Sequence, residues 1–113
     1  MQKRNYPIDK DAIREIELWI NNTAEIYFKT VIPLLENYTK KYVRGTFDKN
    51  KGIKGFELVI PVAVRSYYRE FGDKMQFNPE ERKIIAKYLY DYYEDIMKEM
   101  FKKAKKLKKT SKK

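Results

Sequence analysis

The residues best equipped for chemistry in this chain are cations and aromatic rings. After Phe101 the sequence reads Lys102, Lys103, Ala104, Lys105, Lys106, Leu107, Lys108, Lys109, and two more lysines close the chain. Ammonium groups at this density attract phosphate and displace its condensed counterions. Binding of that kind is largely indifferent to base sequence and falls steeply with salt. Lys102, Lys103, Lys105, Lys106, Lys108 and Lys109 are therefore the candidate nucleic-acid contacts. The same residues would also serve as a solubilising terminus, as a contact for an anionic membrane surface, or, in a eukaryotic or viral setting, as a nuclear localisation signal. Mutual repulsion predicts that the lysine run is loose until a polyanion relieves it.

A second cationic constellation is Arg65 and Arg69, four residues apart, with Tyr68 at the edge of the same face. Two guanidinium forks beside a ring suit a phosphate and a stacked base. The plainer reading is a surface pair with Arg69 bridged to Glu70 or Asp73. The lysines of the 49–54 stretch are further possible contacts. Tyr67, Tyr68, Tyr88, Tyr90, Tyr92 and Tyr93 would make stacking platforms. Their spacing matches a buried stripe instead, so the expectation is that most are core, with Tyr90 the hardest to bury.

Metal and catalytic chemistry have little to work with. The chain contains no Cys and no His, which removes thiolates, the commonest general base and the commonest metal ligand. Asp91, Glu94 and Asp95 form an acidic stripe, but Lys87, Lys98 and Lys102 interleave with them at four-residue spacing, the pattern of surface ion pairs. No glycine-rich phosphate loop or nucleophile elbow is present. The expectation is a non-enzymatic protein without metal, cofactor or small-molecule substrate.

Charge is segregated along the chain. The net charge is +10 over 113 residues, yet eight of the twelve residues in 102–113 are Lys and none is acidic, which leaves the body at +2. An apolar fraction of 42% with 15% aromatics argues for a folded domain. No apolar run approaches the ~20 residues of a membrane span, and no secretory signal is visible at the start. A cytoplasmic protein is the simplest expectation.

The elements that must position these groups read as helices. Asn78, Pro79, Glu80 and Glu81 form a helix start: a capping side chain, a proline at the first position, and a capping-box glutamate. No Gly or Pro follows, so the helix runs on toward the end of the chain. Its apolar arc is centred on Ile85, Leu89, Tyr92, Ile96 and Met100, with Tyr88 to one side and Tyr90, Tyr93, Met97 and Phe101 to the other, and is too broad for one partner helix. Upstream, residues 1–8 read as an extended lead-in, and Asp9 as an N-cap. The face Ile13, Ile16, Ile20, Ala24, Tyr27 and Val31 continues past Pro33 through Leu34, Leu35, Tyr38 and Tyr42, giving one long helix kinked near 29–33, or two helices meeting there, ended by Gly45. Residues 45–56 read as an irregular loop. A further helix from about 58–60 to 71 stops at Gly72. Phe28, Val31, Ile32 and Pro33 recur as Phe56, Val59, Ile60 and Pro61, which raises the question of a duplicated unit.

The predicted architecture is all-α: a small bundle of three to four helices, with a long central C-terminal helix and a kinked long N-terminal helix. The domain spans 1–101 and the lysine-rich tail 102–113. The predicted function is nucleic-acid association through that tail. The alternative is a protein–protein module, an adaptor or inhibitor of the sort phages and mobile elements carry. A homodimer follows if three helices leave the long helix partly bare.

Overall fold

The structure is a computed structural model that describes residues 8–111, with side chains through Leu107. The lead-in up to Pro7 and the last two lysines lie outside the described residues. Six helices follow in order: α1 Lys10–Asn22, α2 Ala24–Ile26, α3 Ile32–Arg44, α4 Lys49–Gly55, α5 Val59–Phe71 and α6 Pro79–Ser111. No strand occurs among the described residues. The Cα envelope measures 58 × 36 × 17 Å, a slab about two helix layers deep.

The helix starts follow from their caps. The Glu81 N–H donates to Asn78 Oδ1 at 2.7 Å, and the Asn78 N–H donates to Glu81 Oε1 at 2.8 Å, closing the capping box. Asp9 caps α1, accepting from the Ala12 N–H at 3.0 Å. Glu81 does more than the sequence indicated: its Oε2 also accepts the Asp9 N–H at 2.9 Å. One buried carboxylate therefore ties the first turns of α1 and α6 together. The Tyr93 hydroxyl donates to Asn21 Oδ1 at 3.0 Å, the same 72-residue separation, so α1 and α6 run parallel.

The N-terminal kink is two separate events. Thr23 leaves the helix altogether (φ −109°, ψ 103°). Asn21, Asn22 and Thr23 are three successive residues whose side chains compete for backbone bonds. Then Tyr27–Val31 widens into a π-turn, with the Ile32 N–H bonded to the Tyr27 carbonyl. The wider turn falls just ahead of Pro33, which cannot donate to the Lys29 carbonyl. The break resets the helical phase, which corrects the single continuous stripe: Ala24 is exposed and Ile26 is buried. Leu35 and Tyr38 continue the buried face as expected, and Gly45 ends α3 in the left-handed region at φ 79°.

Residues 45–56 are a second correction. Asp48 caps α4, accepting from the Asn50 N–H at 2.9 Å, and a 3₁₀ turn at Phe56–Leu58 leads into α5. The glycines that suggest a loop serve close approach instead. The Tyr38 hydroxyl donates to the Gly52 carbonyl at 2.6 Å, and the same hydroxyl sits against Gly55 where a Cβ would project. Phe56 is fully buried, whereas Phe28 at the matching position of the repeat is 65% exposed. The two similar segments thus differ at their aromatic residue, while Val31 and Val59 are both fully buried and Pro33 and Pro61 are both exposed.

On α6 the buried row is Glu81, Ile85, Leu89, Tyr93, Met97 and Phe101, with Ala86 and Tyr90 beside it. This rotates the expected face by roughly one row. Tyr90 is 3% exposed, whereas Tyr92 is 53% exposed and Ile96 also faces solvent. The shift has a cause in α4: Tyr90 packs edge-on to Phe56 and lies against Gly52, on the side the sequence read as loop. The helix stays regular through Ser111, so the lysine run is helical up to there rather than loose.

Two outcomes follow. Gly55→Ala drives a methyl into the Tyr38 hydroxyl and should cost about 1–3 kcal/mol in a urea titration, while Lys54→Ala should cost little. Glu17, buried on the apolar face of α1, has its carboxyl pushed up to about 6 by burial, against the opposing pull of Arg14. Its folded value exceeds the ordinary 4.5, so the folded chain holds this proton more tightly, and its contribution to stability falls as pH rises through about 6. Glu17→Gln should therefore raise the melting temperature at pH 7 and leave it nearly unchanged near pH 4. A gain that is the same at both pH values would contradict this.

Candidate nucleic-acid interface

The lysine end of α6 does not stand alone. Gly45 reverses the chain after α3, and the Thr46 N–H bonds back to the Lys41 carbonyl at 2.8 Å. This turn brings Phe47 onto α6. The Tyr42 and Phe101 rings stack at 4.3 Å with a 10° interplanar angle, and Phe47 meets Phe101 edge-on at 5.2 Å. With Tyr90 and Met97 they floor a groove of about 650 Å³. Lys49, Lys98, Lys102 and Lys105 stand on its rim, together with Glu94 and Glu99.

The rim is cationic on balance, and the charges are unevenly held. Glu94 lies 3.9 Å from both Lys49 and Lys98 and offsets part of their charge. Lys102 and Lys105 make no ion pair among the described residues. The Lys105 ammonium lies 5.6 Å from the Tyr42 ring centroid, and that of Lys49 5.8 Å from the Tyr90 ring. Tyr90 keeps its proton more tightly than a free phenol, chiefly through burial and then through Glu94 and Asp91. The floor is thus neutral and aromatic, and the rim positive on balance, an arrangement that suits a planar ring carrying an anionic group.

The other candidate residues sort as follows. Lys103 and Lys106 are exposed on α6 outside the groove. Lys108 and Lys109 continue the helix, but their side chains lie outside the described ones. Arg65 and Arg69 line a different, shallower pocket of about 220 Å³ with Val64, Tyr68 and Lys74. Neither arginine makes an ion pair among the described residues, so the bridge expected from Arg69 to Glu70 or Asp73 is not formed. Tyr68 is exposed beside them. The pocket and the groove share no lining residue.

The sequence assigns Tyr42, Phe47 and Lys98 no part in such a groove, and reads Lys98 as a surface ion-pair partner. Tyr42 reads as the last member of a core stripe, and Phe47 as a loop residue. Only the turn at Gly45 brings them to Phe101. Among the described residues no three acidic side chains gather into a metal-binding group, and no helix is long and apolar enough to cross a membrane. No protein-family model matches the chain, and no curated protein or solved structure is detectably similar to it. The functional reading therefore comes from its own residues.

Interface and fold should be separable by mutation. Lys102→Ala with Lys105→Ala removes two exposed charges and the contact of Lys105 with the Tyr42 ring, and should change stability by no more than about 0.5 kcal/mol per site. Tyr42→Ala removes a ring stacked on a buried one and should cost about 1–3 kcal/mol. Thermal melts of the variants would compare the two.

Proposed function

We propose that this chain is a small, non-enzymatic, cytoplasmic accessory protein that associates with nucleic acid. The lysine end of α6 holds the phosphate backbone, and the adjoining groove admits an unstacked base of a single strand. The observation that carries this reading is the adjacency of Lys102 and Lys105, which make no ion pair among the described residues, to the stacked Tyr42 and Phe101 rings. Lysines alone would suit any polyanion. An aromatic floor beside them adds a reason to favour nucleic acid over a membrane surface, because every base has a face that stacks. Arg65, Arg69 and Lys74 offer a second phosphate contact away from the groove. A protein partner is the second reading, favoured by the bare row Ile84, Tyr88, Tyr92 and Ile96 on α6.

The test is a salt titration of binding to labelled single-stranded and duplex oligonucleotides by fluorescence anisotropy. Four phosphate contacts on a single strand predict an affinity loss of roughly 50-fold between about 50 and about 200 mM salt. Lys102→Ala with Lys105→Ala should lower the slope by about 1.4. A chain ending at Lys102 should lose most of the binding. Absence of binding at about 50 mM salt would sink the proposal.

A further inference from the structure

We infer that the bare row of α6 is the contact through which two copies of this chain pair antiparallel. Ile84, Tyr88, Tyr92 and Ile96 recur every fourth residue, and all four are exposed. The Tyr88 and Tyr92 rings lie 6.0 Å apart, so the row is continuous. At 1.5 Å per residue it covers about 18 Å of helix. The slab is too thin for another layer to cover this side, and an apolar row of this length on a charged helix calls for an occupant.

The charges beside the row select that occupant. On the side away from the core runs a parallel row of Lys83, Lys87, Asp91, Asp95 and Glu99, all exposed. Its first part is basic and its remainder acidic. In an antiparallel two-fold pair, the same flank of each helix faces its own copy. Ile84 comes level with Ile96 of the second copy, and Tyr88 with Tyr92. Lys83 then falls between Asp95 and Glu99 of the second copy, and Lys87 between Asp91 and Asp95. The two-fold axis repeats each pairing. Lys87 already pairs with Asp91 of its own chain at 2.7 Å, an exposed bond of small worth. Asp95 and Glu99 make no ion pair among the described residues and stay available. The three carboxylates that welcome these lysines would repel phosphate, so nucleic acid is the poorer occupant of this face. A contact of three to four turns lies at the small end of specific interfaces, and the dissociation constant is on the order of 10–100 µM.

Sedimentation equilibrium of the full chain tests this, over about 5 to about 500 µM. The expected result is a shift from monomer to dimer across that range. Tyr92→Glu should remain monomeric and keep a single cooperative melt, somewhat lowered because the Tyr92 ring also meets Tyr93 edge-on at 4.9 Å. Lys87→Glu should weaken the dimer several-fold, and adding Asp95→Lys should restore it. Because the chain has no Cys, single thiols report the geometry. Asp91→Cys sits about 3 Å along the axis from its own copy and should form a disulfide dimer on oxidation, whereas Glu99→Cys, about 27 Å from its copy, should not. A monomer at about 500 µM assigns the face to some other occupant and overturns the inference. So does a dimer that survives Tyr92→Glu, and so does cross-linking at residue 99 as fast as at residue 91. None of these outcomes bears on the salt titration, which reads the lysine end of the helix.

Discussion

The Glu81 carboxylate is the constraint on which the bundle depends. It accepts backbone N–H groups from Asn78 and from Asp9, and so pins the start of α1 to the start of α6. Those donors are the orphan amides that a helix start or its lead-in leaves without intrahelical partners. With both starts fixed and the two helices parallel, the chain between them must travel out and return. α3, the turn at Gly45 and α4 make the outward and lateral part of that path, and α5 brings it back to Gly72. The groove at the far end of α6 is a product of this path: Tyr42 and Phe47 reach Phe101 because α3 ends beside it.

Charge follows the same geometry. The acids are concentrated in the body, where Asp91 and Glu94 pair with nearby lysines on α6 and α4. Beyond Phe101 the helix carries lysine without acid. A single rod of 33 residues thus presents a nearly neutral, partly apolar side along its first half and a cationic end. The aromatic groove marks the join. The exposed apolar row and the lysine end therefore lie on different stretches of one helix, with Glu99 standing at the border of both.

Much of the fold was legible in the sequence, because helix punctuation is local. Asn78, Pro79 and Glu81 announced α6, Asp9 announced α1, and Gly45 and Gly72 ended helices where expected. What escaped depended on contacts across the chain. Asn21, Asn22 and Thr23 carry a local signal for a break that the apolar periodicity around them masks. Gly52 and Gly55 looked like loop residues because close ring packing and turn formation use the same amino acid. Without α4, the centre of the buried face falls on the line through Tyr92 and Ile96 instead of on the flank of Tyr90, Tyr93, Met97 and Phe101 that is in fact buried. The lysine part of the candidate interface was visible from charge alone. Its aromatic part was not, since Tyr42, Phe47 and Phe101 come from three distant stretches.

The π-turn at Tyr27–Val31 bears on how this chain tolerates changes in length. A helix that closes one turn through an i to i+5 bond stores one residue more than an α-helical turn does. Losing a residue there returns the turn to ordinary pitch and leaves Ile26 and Leu35 on the faces they already occupy. Losing one elsewhere in a regular helix rotates everything beyond it by about 100°. A one-residue deletion at this turn is therefore a change of length that the packing on either side of it tolerates.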